Sequence, residues 1–173
     1  MLLIGVSIAV PPPYGPQLLD ARAGYGDPQA STVPTHVTLL PPTEVPMVTV
    51  EVVSKHLARV AEAHPPFRMA LSGTGTFRPV SPVVFVNVVD GFDDCVRLEQ
   101  DVRSGPLARA VEFDYHPHVT VAHHLPDDIL DRAARDLSGF TCQFDVTEFH
   151  LWVPSDLGVW EPRDTFVLTG PDT

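Results

Sequence analysis

Tyr115-His116-Pro117-His118-Val119-Thr120-Val121-Ala122-His123-His124 is the stretch on which the fold turns, together with its echo at Thr35-His36-Val37-Thr38-Leu39-Leu40. Both carry His-Val-Thr inside a short apolar run bounded by prolines, where β-branched residues alternate with polar ones in the manner of a strand. Successive side chains of a strand point to opposite faces, so a His and a Thr two apart emerge together while the intervening Val goes to the other side. Each motif therefore presents one imidazole and one hydroxyl on a common face. Two such pairs supply two proton-transfer groups and two hydrogen-bond donors, enough to move a proton onto and off a phosphodiester without a metal. A single His-x-Thr among eight histidines says little; the same central Val in both copies says much more.

Working outward, 173 residues with 44% hydrophobic content fit one compact domain or two small lobes that share a core. The net charge of −11 removes the broad basic field that an extended nucleic-acid duplex requires. A phosphate-bearing substrate is therefore expected to be small, or held in a local pocket. Cys95 and Cys142 have no metal-type spacing and read as reduced, buried thiols of a cytosolic protein. The opening MLLIGVSIAV lacks a positively charged leader and is too short to span a bilayer, so it reads as a buried first strand. No membrane anchor and a cytoplasmic location are expected.

In chain order, Leu2 to Val10 is predicted as a strand that stops at Pro11-Pro12-Pro13, because consecutive prolines cannot donate to a ladder. Tyr14 to Pro34, rich in Gly, Pro and Ser, reads as a mobile loop that could cover a cleft, with at most a short helix over Gln17 to Ala23. The strand His36 to Leu40 is expected to end at Pro41-Pro42. Thr49 to His64 carries Val50, Val53, Leu57, Val60 and Ala61 on one helical stripe and is closed by Pro65-Pro66. Phe67 to Phe77 is the next strand. Val83 to Val89 then reads as a central strand, Gly91 to Ser104 as a helix with Glu99 the one polar member of its stripe, and Asp127 to Leu137 as a helix. Phe140 to Val153 and Val159 to Leu168 look like a final hairpin.

Set side by side, the halves match in order: strand, variable segment or helix, His-Val-Thr strand, helix, long strand. The motif histidines, His36 and His118, are 82 positions apart. The expectation is one bilobal α+β domain over residues 1–173, with lobes of approximately 1–78 and 82–170 between which strands could be exchanged. Antiparallel sheets of the two pseudo-symmetric lobes would line a central cleft, with helices outside.

His36-Val37-Thr38-Leu39-Leu40-Pro41 and Pro117-His118-Val119-Thr120-Val121-Ala122, within this duplicated order, resemble the paired motifs of the 2H phosphoesterase superfamily. That superfamily includes the 2′-5′ RNA ligase-like proteins and RNA 2′,3′-cyclic phosphodiesterases. The resemblance implies that His36 and His118 are the catalytic acid–base pair and that Thr38 and Thr120 hydrogen-bond the phosphoryl oxygens. It implies a metal-independent phosphodiesterase, needing no cofactor, that acts on a 2′,3′-cyclic phosphate or 2′-5′ phosphodiester of a nucleotide or RNA end. Imidazoles titrate near neutral pH, which suits the two proton transfers of such a hydrolysis.

Two further residues are candidates for substrate binding. Tyr115 precedes the second motif and could stack on a base, and the guanidinium of Arg78 matches two phosphate oxygens. Two rival functions stand beside the enzyme: a non-catalytic nucleotide- or RNA-binding module, and a metal-binding protein built on His116, His118, His124 and His36. Against a metal, positions 118 and 124 lie about 20 Å apart along an extended strand. A monomer is favoured.

Overall fold

Both His-Val-Thr runs form strands, and each lies at the edge of its own antiparallel sheet. The computed structural model describes residues 1–172. The first half of the chain runs β1 (Leu2–Ala9), α1 (Tyr14–Gly24), β2 (His36–Val45), α2 (Val50–Ala63) and β3 (Phe67–Thr76). The second half repeats that order as β4 (Val83–Val88), α3 (Phe92–Val102), β5 (His118–His123), α4 (Asp127–Asp136) and β6 (Thr141–Val146), then adds β7 (Glu148–Pro154) and β8 (Trp160–Val167). One sheet has the strand order β2-β1-β7-β8 and the other β5-β4-β3-β6. The fold is bilobal α+β, as the sequence predicts.

The sheets do not follow the halves of the chain. β3 leaves the first half to lie between β4 and β6, while β7 and β8 leave the second half to extend the sheet of β1 and β2. The equivalence of the halves is nonetheless visible in the ladders. Thr38 and His36 lie opposite Ser7 and Ala9, and Thr120 and His118 lie opposite Phe85 and Asn87. In both motif strands His and Thr are half-buried, whereas the Val between them is fully buried on the reverse face.

That reverse face builds the core. α2 turns Val53, Leu57 and Val60 inward and meets α3 and β8. Beyond it, α3 meets β2, and α4 covers β3, β4 and β5 with Leu130 and Ala133 buried. Glu99 is buried on the inner side of α3 because Arg103, one turn later, donates Nε–H to it at 2.6 Å.

Three boundaries differ from those predicted. Tyr14 to Pro34 is ordered secondary structure rather than a loop: α1 is followed by a 3-10 turn, Pro28–Ser31, and anchored by buried Leu18 and Arg22. Strand β2 continues past Pro41-Pro42 to Val45, because the register shifts there and Ile4 pairs with Thr43 while Val6 pairs with Leu40. A proline is tolerated at such an irregularity of an edge strand. Finally, Phe140 to Val153 is two strands in different sheets. Cys142, Phe144 and Val146 are buried in β6, and Phe149 and Leu151 in β7, so the inward parity breaks at Thr147, where the chain changes sheet.

Candidate active site

Because β2 and β5 are edge strands that come into contact across the cleft, their polar faces share one space. A cavity of about 370 Å³ is lined by His36 and Thr38 of β2, by Thr120 and His123 of β5, and by Trp152 and Trp160. Thr38 also borders a second cavity, of about 510 Å³, together with His116 and His118. The four motif side chains therefore stand where the two cavities adjoin.

The two motif imidazoles are held by the same device. Nδ1 of His36 lies 2.6 Å from the carbonyl oxygen of Pro34, and Nδ1 of His118 lies 2.6 Å from that of His116, each two residues back. A carbonyl can only accept, so Nδ1 carries the proton in both rings. In the neutral form Nε2 is then a free lone pair, able to take a proton; in the charged form it is a donor.

Their surroundings favour the neutral form. Burial lowers the pKa of His36, the Pro34 carbonyl opposes that, and the charge of Arg22 adds to it. His118 is lowered to about 4, first by burial and then by the charges of His116 and His36, against the opposing pull of the His116 carbonyl. Phe77 stands edge-on to the His118 ring at 4.9 Å between centroids, and Phe85 lies at 5.2 Å, so apolar rings exclude water from its flank.

Each half of the chain ties down the motif strand of the other. The Tyr115 hydroxyl donates to the Thr38 carbonyl at 2.6 Å. Reciprocally, the backbone N–H of His123 donates to Asp27 Oδ2 at 3.1 Å. Asp27 is buried, and Arg22 Nε donates to it at 2.8 Å. Arg22 also reaches Gln29 Oε1 at 2.9 Å through Nη2. Arg22 and Gln29 both line the smaller cavity.

Of the residues singled out for substrate, Tyr115 borders the larger cavity, but its hydroxyl is committed to Thr38. Arg78 is engaged elsewhere. Its guanidinium is bound by Asp131 at 2.9 Å and Asp127 at 3.3 Å, both on α4, and it lines neither cavity. Its position at the end of a strand concealed the carboxylates that α4 aims back at it.

Arg22 and Gln29 escape a reading of the motifs alone, since their segment resembles a Gly- and Pro-rich connector. Trp152 and Trp160, on β7 and β8, reach the smaller cavity because those strands extend the sheet of β1. Trp160 then lies over Gly5, where an added Cβ would touch its ring at 3.5 Å. Among the described residues, no three His, Cys, Asp or Glu side chains are grouped to hold a metal ion, and no helix is long and apolar enough to cross a membrane.

Known proteins share this architecture. Crystal structures of Escherichia coli LigT superpose with a TM-score of 0.71 for its NADP+ complex at 23% identity and 0.72 for its 3′-AMP complex at 22% identity, each covering 97% of this chain and 98% of LigT. A candidate phosphoesterase of Bacillus cytotoxicus is 30% identical over 146 residues, 82% of this chain and 83% of that protein. Another, from Geobacillus kaustophilus, is 28% identical over 149 residues, 85% of this chain and 86% of that one. Residues 10–157 match the 2′-5′ RNA ligase superfamily as a whole, and with that match, two His-Val-Thr edge strands facing one cleft and the likeness to phosphoesterases, the chain belongs to the 2′-5′ RNA ligase superfamily.

Proposed function

We propose that the protein is a metal-independent phosphodiesterase that hydrolyses a 2′,3′-cyclic phosphate or 2′-5′ phosphodiester of a nucleotide or RNA end. The observation that carries this reading is the matched anchoring of His36 and His118, each with Nδ1–H on the carbonyl two residues earlier. Both Nε2 atoms are thereby left for chemistry. One imidazole takes a proton from the attacking water while the other protonates the departing ribose oxygen, on opposite sides of one phosphorus. Thr38 and Thr120 supply hydroxyl donors to the non-bridging oxygens, where negative charge grows.

The lowered pKa values leave both rings neutral in the free protein at pH 7. A phosphodiester brings a negative charge between them, and an opposite charge at that range raises an imidazole pKa. Substrate binding thus charges one ring and makes it the acid. Trp152 and Trp160 offer aromatic faces to a base in the smaller cavity. The net charge of −11 is consistent with a small substrate and not with a long duplex. LigT has been crystallised with 3′-AMP and NADP+, which supports a nucleotide in the corresponding cleft here.

The test is turnover of 2′,3′-cyclic nucleotides by purified protein in EDTA, beside His36→Ala and His118→Ala. Turnover that survives EDTA and is lost in both variants is the expected result. Nucleotide binding without turnover would mean a binding module, and activity abolished by EDTA would overturn the metal-independent mechanism.

A further inference from the structure

The two cavities that adjoin at the motif residues differ in chemistry, and the difference bears on what is attached to the phosphorus. The smaller, on the His36 side, has two indoles, Arg22 and Gln29 at its wall. The larger, on the His118 side, is walled by Leu39, Phe77, Val80, Val111, Phe113 and Tyr115. Among its charged groups the carboxylates Glu99, Glu112 and Asp114 outnumber the cations Arg103 and Arg109. Arg103 directs Nε and Nη2 to Glu99 and Nη1 to the Arg109 carbonyl, and Arg109 donates to Thr43. Glu112 and Asp114 complete the rim. That balance does not favour a second phosphate, whereas the wall behind the rim rewards an uncharged apolar group.

Two features mark this as a place for a ligand. Val80 is 71% exposed and Phe113 is 63% exposed, so these large apolar side chains stand at the mouth of the cavity without contributing to the core. The cavity is also continuous with the reaction site, since Thr38 borders both chambers and His118 belongs to this one. A cyclic mononucleotide, which has a single organic arm, would leave one chamber empty.

We propose that the chamber walled by Phe77, Val80, Phe113 and Tyr115 binds an uncharged, apolar alcohol arm of the substrate, so that the protein acts on an unsymmetrical phosphodiester with a nucleoside in one chamber and an apolar group in the other. This rests on the phosphodiesterase reading of the same site. Water adds to phosphorus from the His36 side, giving up a proton to His36. The P–O bond to the apolar arm breaks, and its oxygen takes a proton from His118. The products are a nucleotide monoester and an alcohol.

The experiment compares the methyl and hexyl esters of 3′-deoxyadenosine 2′-phosphate, which have no neighbouring hydroxyl, so only water can attack. Their leaving groups are chemically alike, and the ratio of kcat/KM reports the chamber. Adenosine 2′,3′-cyclic phosphate and 3′-deoxyadenylyl-(2′-5′)-adenosine are run alongside. The hexyl ester is expected to exceed the methyl ester by at least about tenfold, a modest return on five methylenes entering an apolar pocket. Phe113→Ser and Val80→Asn, both at exposed positions where folding does not depend on the side chain, should each lower that ratio several-fold. Leu157→Ser, at a turn residue that is 89% exposed and lines neither cavity, should leave it unchanged.

A hexyl-to-methyl ratio near one, or one indifferent to Phe113→Ser, overturns the apolar arm. So does a preference for the 2′-5′ dinucleotide over the hexyl ester, which would assign the chamber to a second nucleoside. If the cyclic phosphate is turned over while these outcomes hold, only the chamber assignment falls. If no phosphodiester is turned over, the enzymatic reading falls with it.

Discussion

The hydroxyl of Tyr115 donates to the backbone carbonyl of Thr38 at 2.6 Å, across 77 residues of chain, and so fastens the edge of the first motif strand to the segment that leads into the second. Edge strands present unpaired backbone groups, and this bond satisfies one within the first motif. Tyr115→Phe keeps the ring and removes only the donor. Loss of a buried hydrogen bond costs about 1–2 kcal/mol, which urea denaturation would register. A several-fold fall in kcat on 2′,3′-cyclic nucleotides is expected as Thr38 loosens; unchanged stability and turnover would show that the bond positions nothing.

The opposite edge is fastened by a charge. Arg22 and Asp27 are buried together, and Asp27 also accepts from the N–H of His123. Arg22→Met leaves the carboxylate buried without its partner, a change that costs about 3–5 kcal/mol. The double variant Arg22→Met/Asp27→Leu should recover part of that loss, since no uncompensated charge remains. A double variant less stable than Arg22→Met would instead make the carboxylate, through His123, the dominant member.

Acidification acts on stability through His118. The folded protein holds this ring at about 4 against the ordinary 6.5, so between those values the unfolded chain binds a proton that the folded chain refuses. Stability is therefore full above about pH 7, falls as the pH drops from 6.5 towards 4, and then levels. The loss is on the order of 2 kcal/mol, allowing for the part of the ring that solvent reaches. His36 shifts in the same direction. Urea midpoints measured from pH 7.5 to 4 should decline, and His118→Asn should flatten the decline.

On the proposed mechanism the same shifts should displace the pH optimum. Because kcat/KM reports the free protein and both free imidazoles are lowered, its optimum on a cyclic phosphate should lie on the acid side of 6.5. The profile of kcat should sit at higher pH, since the bound anion raises whichever ring serves as the acid. Coincident profiles centred at or above pH 7 would contradict the burial argued for both rings.

Gly75 controls His118 at one remove. A Cβ there would meet the Phe85 ring at 2.7 Å, and Phe85 lies against His118. Overpacking of this kind costs about 1–3 kcal/mol. Gly75→Ala should lower the melting temperature and move the NMR titration of His118 as its apolar flank is displaced.

The sequence made the bilobal fold, the helices α2 to α4 and the two motif strands legible because they are written in local pattern: alternation around His36 and His118, a helical stripe over Val50 to Ala61, and one order of elements read twice. What it concealed depends on partners far along the chain. Arg22 looks like a surface residue of a connector until Asp27 folds back on it, and Arg78 looks like a phosphate ligand until Asp127 and Asp131 claim it. The change of sheet at Thr147 was detectable, since the inward parity passes from Val146 to Phe149, three positions on. The continuity of the apolar run masked it.

The exchange of β3 and β7 between the sheets makes the two halves of the chain interdependent. Because an inner strand of each sheet is supplied by the opposite half of the polypeptide, neither half can complete its own sheet alone. The two motif strands therefore come to face each other only when both halves of the polypeptide have folded together.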